Sequence, residues 1–259
     1  MNLKKVIFKE IAPVLSREGY YICSSAPGDY SFTNSDNSIV LSLGTTPLLS
    51  RQLIVRFFVQ GTSKFNLDLE QFPGENNTFY TTQEELERLS KHILDTILNK
   101  VLPYLNIMKQ VYFEPDENLY KALSLNTHER AKNFAKKHQH DFLPQKKNLR
   151  LIDNTIQSLR PSNLLLQQAV FEDNKELFLA MAAYLGEVLL AVNTTCYWGW
   201  RQVKDVSPRV LMILKDYRQF GLITSCSDTS LVLDPLRRVI SAWNFAELNG
   251  YEVSRYPIP

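Results

Sequence analysis

The stretch Leu53-Ile54-Val55-Arg56-Phe57-Phe58-Val59 decides how the first half of this chain is read. Leu53, Val55, Phe57 and Val59 fall on one side of an extended backbone, and Ile54, Arg56 and Phe58 on the other. A period of two describes a strand with one face on a core. Working outward, Tyr20 to Ser24, Tyr30 to Thr33 and Ile39 to Leu43 have the same character, and turn residues at Pro27-Gly28, Asn34 to Asn37 and Pro47 separate them. That punctuation argues antiparallel pairing. Phe65, Leu67 and Leu69 repeat the alternation once more before the loop Phe72-Pro73-Gly74-Glu75-Asn76-Asn77. Helical spacing flanks the strands. Leu3, Ile7, Ile11, Val14 and Leu15 predict a helix over residues 3–18 with Gly19 as its stop, and Thr81 or Thr82 caps a second with Leu86, Leu89, Ile93, Ile97 and Val101 on one face. The predicted order is helix, about four strands, helix.

The pattern changes near residue 115. Glu114-Pro115-Asp116-Glu117 opens a helix-rich part, with helices near 116–124, from Thr127, over 146–159 and over 174–192. Short strands follow at Trp200 to Val203 and Val210 to Leu214, and Asp234-Pro235 supplies a cap and a first-turn proline for a final helix. The fold class expected is α+β in two domains, residues 1–115 and 116–259, without an internal repeat.

Composition narrows the function classes. With 29 Lys+Arg against 27 Asp+Glu in 259 residues, the near-neutral charge excludes a generic electrostatic nucleic-acid binder. Lys9 and Glu10 interrupt the apolar stretch after Lys4-Lys5, so the amino-terminal segment reads as an amphipathic helix. The longest apolar run, Leu177 to Val192, contains Glu187 and is shorter than the ~20 residues a bilayer requires. It reads as a buried helix. Cys23, Cys196 and Cys226 are too few and too scattered for a disulfide framework or a zinc site. A cytoplasmic protein with no membrane partner is expected.

Two segments carry a resemblance. Ala183-Tyr184-Leu185-Gly186-Glu187-Val188, then Trp198 or Trp200, then Leu233-Asp234-Pro235-Leu236-Arg237-Arg238-Val239 resembles a family of uncharacterised bacterial domains with a YLGE…W…DP pattern, over roughly residues 146–245. Residues 3–106, with Leu15-Ser16-Arg17-Glu18-Gly19-Tyr20 ending one helix and Val101-Leu102-Pro103 closing another, are similar to a second uncharacterised bacterial domain of α-β-β-β-β-α order, in which phenylalanine is more usual than Tyr20. These resemblances imply an immunity or accessory protein of a toxin system and carry no catalytic residues.

Within the apolar helix, Glu187 shares a face with Ala180, Tyr184 and Ala191. A buried carboxylate must be paired or hydrogen-bonded. Arg201, Arg237, Arg238 and the indole groups of Trp198 and Trp200 are its candidate partners, either as a structural tie or as a ligand-facing site. Tyr197-Trp198-Gly199-Trp200-Arg201 is a candidate hot spot for a protein partner, the alternative being that one indole fills the core. His128, His138, His140 and Asp141 lack the converging ligands of a metal site, so neither metal nor other cofactor is expected. Between Arg130 and Arg150 stand seven basic residues and one acidic, a positive face suited to docking phosphate or an acidic protein surface, or simply to solvent. G-x-S-x-G, P-loop, G-x-G-x-x-G and H-E-x-x-H motifs are missing.

The reading that follows is a non-catalytic protein-binding module of immunity or accessory type. Its candidate binding residues are Glu187, Trp198, Trp200, Arg201 and Arg237. The alternatives are a hydrolase or transferase with an interdomain site using Glu187 and a histidine, and a small-ligand sensor walled by the aromatic cluster.

Overall fold

The computed structural model describes residues 2–46, 49–60, 65–75, 78–138, 146–192, 197–201, 209–214 and 231–255. It is α+β, as expected. By internal contacts the chain forms two units, Met1–Tyr112 with Glu247–Asn249, and Phe113–Ala246 with Gly250–Pro259.

In the first unit, α1 (Leu3–Val6) and α2 (Ala12–Arg17) are joined by a π-turn at Ile7–Ile11 and end at Gly19, whose φ of 81° suits a residue without a side chain. Strands β1 (Tyr20–Ala26), β2 (Asp29–Asn34), β3 (Ile39–Thr46), β4 (Leu49–Val59) and β5 (Phe65–Asp68) form an antiparallel meander in sequence order. The sheet has five strands rather than about four, because the alternation at Phe65 and Leu67 continues onto the edge of β4, pairing Val59 with Phe65 and Phe57 with Leu67. Phe32, Leu41, Phe57 and Leu67 align across four strands on the buried face. Helices cover that face: Phe57 meets Phe72, which in turn meets Tyr104 edge to face.

Helix α3 (Gln83–Thr96) opens on a capping box between Thr82 and Glu85. A second π-turn at Ile97–Val101 leads into α4 (Leu102–Val111). The helix expected to close at Val101-Leu102-Pro103 therefore runs on. A proline inside a helix removes one hydrogen bond and crowds the carbonyl four residues back. Pro13 and Pro103 each directly follow a residue, Ala12 or Leu102, whose N–H bonds five residues back, to Ile7 or Ile97. The wider turn accommodates the ring, and the helix passes through.

The second unit is built on α5 (Glu117–Ser124), α6 (Thr127–Lys137), α7 (Arg150–Leu159), α8 (Gln167–Asp173) and α9 (Lys175–Val192). Strands β6 (Tyr197–Arg201), β7 (Arg209–Leu214) and β8 (Leu231–Leu233) form a small antiparallel sheet, and α10 (Pro235–Asn244) follows. The strand expected at Trp200 to Val203 begins earlier, at Tyr197, and residues 202 and 203 lie outside the described residues. Helix α9 is the axis of this core, packed on α6 and α10, with Phe178, Leu179, Ala182, Tyr184 and Val188 inaccessible to solvent. Phe178 in turn meets Trp243 and Phe171. Among the described residues, no helix is long and apolar enough to cross a membrane.

Candidate functional site

Glu187 sits one turn from the end of α9, with a side chain only 13% exposed. Among the described residues, two groups reach it. The Trp198 indole Nε1 donates to Oε1 at 3.2 Å, and His128 Nδ1 on α6 lies 3.3 Å from Oε2. One indole of the candidate set is therefore a partner, while two of the three candidate arginines are engaged elsewhere. Arg237 pairs with Glu114 at 2.8 Å, and Arg238 donates to the carbonyls of Glu252 and Gly250. Trp200 and Arg201 lie on β6 opposite Val210 and Arg209, with side chains outside the described residues.

Gly186 explains how Trp198 reaches the carboxylate. A methyl group built at Gly186 would overlap the six-membered ring of the Trp198 indole. The missing side chain forms the seat, and the neighbouring carboxylate takes the indole N–H. Tyr184, one turn earlier, packs on the same helix α6, fully buried and 5.3 Å from the Phe134 ring; burial pushes its phenol up, partly offset by a hydrogen bond with Asn148. The Asp-Pro motif is likewise structural. Asp234 caps α10 by accepting from Arg237 N at 2.9 Å, and its other oxygen accepts from the Tyr120 hydroxyl at 2.7 Å.

Of the histidine grouping, His128 and His138 are described, His128 beside Glu187 and His138 at the C-cap of α6. His138 stacks near Phe134 and lies 3.3 Å from the Thr155 hydroxyl, whereas His140, Asp141, Cys196 and Cys226 lie outside the described residues. Among the described residues, no group of three or more His, Cys, Asp or Glu could hold a metal ion.

A second polar cluster escaped the sequence reading. Glu75, in the loop after Leu69–Gln71, has a side chain 3% exposed. Lys100 Nζ donates to its Oε1 at 2.7 Å, and His92 Nε2 lies 2.8 Å from Oε2. Burial alone pushes this carboxyl up, but the hydrogen bonds and charges of Lys100 and His92 outweigh it and hold the group below the ordinary glutamate value. Positions eight apart on an uninterrupted α-helix sit roughly 80° out of line. The π-turn at Ile97–Val101 takes up part of that rotation and brings Lys100 toward the face of His92. Beside the cluster a groove of about 690 Å³ is lined by Phe79, Tyr80, Glu85, Arg88 and Leu89. No local spacing announces it, because Glu75 is separated from His92 by 17 residues and from Lys100 by 25.

No protein-family model matches this chain, and comparisons with curated proteins and with solved structures return no match.

Proposed function

We propose that this chain is a non-catalytic binding module of the immunity or accessory type, acting in the cytoplasm by covering a surface of another protein. The observation that supports this reading is a row on the outward face of the first unit's sheet. Strand register aligns Tyr21, Thr33, Val40 and Phe58 across β1 to β4 on the side away from the helices. Tyr21 is 55% exposed and Phe58 36%. The next row carries Arg56, paired with Asp68 at 3.3 Å. Tyrosine, phenylalanine and arginine on a rigid sheet are the residue types that anchor protein interfaces. Trp198 is a weaker anchor than its exposed-aromatic reading implies, since its indole is committed to Gly186 and Glu187. The seven basic residues between Arg130 and Arg150 favour a partner with an acidic surface, by charge complementarity.

The test is affinity capture from native lysate by the wild type and by Tyr21→Ser/Phe58→Ser. A stoichiometric protein retained by the first and lost by the second, with both folded, supports the reading; its retention by both removes the sheet face from it.

A second reading has one observation in its favour. His128 is 56% exposed while the carboxylate beside its Nδ1 is mostly buried, an arrangement in which Glu187 orients an imidazole for general acid–base work. Both residues belong to the second unit. Turnover of a chromogenic ester, phosphoester or glycoside that disappears in His128→Ala would favour it over the first.

A further inference from the structure

The basic stretch supplies two of its residues to a groove in the second unit. Lys147, in the Lys146–Leu149 turn, and Arg150 and Asn154 on α7 recur at spacings of three and four and so share one face. Ser254 and Arg255, from the turn Val253–Arg255, form the opposite wall, and the groove between them has a volume of about 640 Å³. Two carboxylates also line it, and both are engaged. Asp153 accepts the backbone N–H groups of Val253 at 2.6 Å and Ser254 at 3.0 Å, which clamps the turn to α7. Glu252 accepts from Gly250 N at 3.1 Å and pairs with Arg255 at 3.3 Å. Lys147 and Arg150 are exposed, and neither has a carboxylate within ion-pair distance among the described residues. Like charges one turn apart repel each other. An anionic group seated between them relieves that repulsion.

We propose that this groove is the docking site for an acidic peptide segment of the protein partner, an inference that rests on the binding reading above. Arg150 would take a side-chain carboxylate through its two-pronged guanidinium, Lys147 a second one, and Asn154 and Ser254 the peptide backbone. The fixed carboxylates of Asp153 and Glu252 set the charge class. They moderate the positive potential, so that spaced single charges fit better than a dianionic phosphate or a nucleic-acid backbone.

Fluorescence anisotropy of the full chain with a labelled Glu-Gly repeat peptide at low salt tests this, with a Gln-Gly repeat as control. The expected result is saturable binding of the Glu peptide alone, weakened about tenfold in Lys147→Ala/Arg150→Ala, which corresponds to about 1.4 kcal/mol. Lys132→Ala/Lys136→Ala removes the same charge from α6 outside the groove and should weaken binding by less than about threefold. Circular dichroism verifies that each variant is folded. Equal affinity for the two peptides, or an equal loss in both double variants, overturns the groove. So does displacement of the peptide by inorganic phosphate at equimolar concentration. The Tyr21→Ser/Phe58→Ser variant separates the two ideas: a partner captured through the sheet face while the Glu peptide fails to bind leaves the binding reading standing and removes only the groove.

Discussion

The six-membered ring of Trp198 occupies the space that a side chain at Gly186 would fill. The glycine, the adjacent Glu187 and a tryptophan on the following strand thus form one device that fastens β6 to α9. Substituting Gly186→Ala forces the indole out or shifts the helix, and overpacking of this kind costs about 1–3 kcal/mol. Equilibrium urea unfolding should register that loss. The same substitution in a Trp198→Ala background should cost much less, giving a non-additive double-mutant cycle.

Glu187→Gln keeps an acceptor for the indole but loses the charge facing His128. A hydrogen bond to a charged group exceeds a neutral one by about 1 kcal/mol, and the melting temperature should fall by about 2–4 °C. Glu187→Ala leaves the indole N–H unsatisfied and should cost about 1–3 kcal/mol. Unchanged stability in both variants, measured by thermal unfolding, would show that Glu187 is held for a ligand instead.

Glu75 makes stability depend on acid in one direction. Its carboxyl is held below its ordinary value in the folded chain, so the unfolded chain binds the proton first as pH falls. The stabilisation is fully present above the ordinary value of 4.5 and is lost as pH drops below it through the folded pKa. Glu75→Gln should lower stability at neutral pH by about 1–2 kcal/mol, tempered by the solvent around His92 and Lys100. It should also flatten the acid limb of stability as pH falls below the ordinary value of 4.5.

Asp234→Ala removes the α10 cap and the acceptor of the Tyr120 hydroxyl together. A lost cap costs about 1 kcal/mol, and the buried hydroxyl adds about 1–3 kcal/mol. Tyr120→Phe removes only the second bond without stranding a buried donor, and its denaturation midpoint should lie between those of wild type and Asp234→Ala.

Read as a chain of local preferences, the sequence already contained the α+β class and most of its elements. The alternation in Leu53 to Val59 is a property of consecutive residues, as are the cap at Thr82 and the Asp-Pro start of α10. The extension of the helix past Pro103 was hidden by the same locality. Proline reads as a break until a π-turn absorbs its ring, and whether that turn is tolerated depends on how both halves bury Ile93, Val101 and Leu105.

Side-chain partnerships belong to a different scale. Sequence alone determined that Glu187, inside an apolar helix, must find a partner, because an isolated buried charge is too costly to keep. It did not determine which. Of the arginines expected to serve, Arg237 and Arg238 are drawn to Glu114 and to backbone carbonyls, while His128, 59 positions earlier, arrives through the packing of α6 on α9. Glu75, Lys100 and His92 meet in the same way. Backbone periodicity and capping are set by neighbours within one turn, so they can be read along the chain; the pairing of distant polar groups is set by the three-dimensional packing of the apolar faces, and only the tertiary structure decides it.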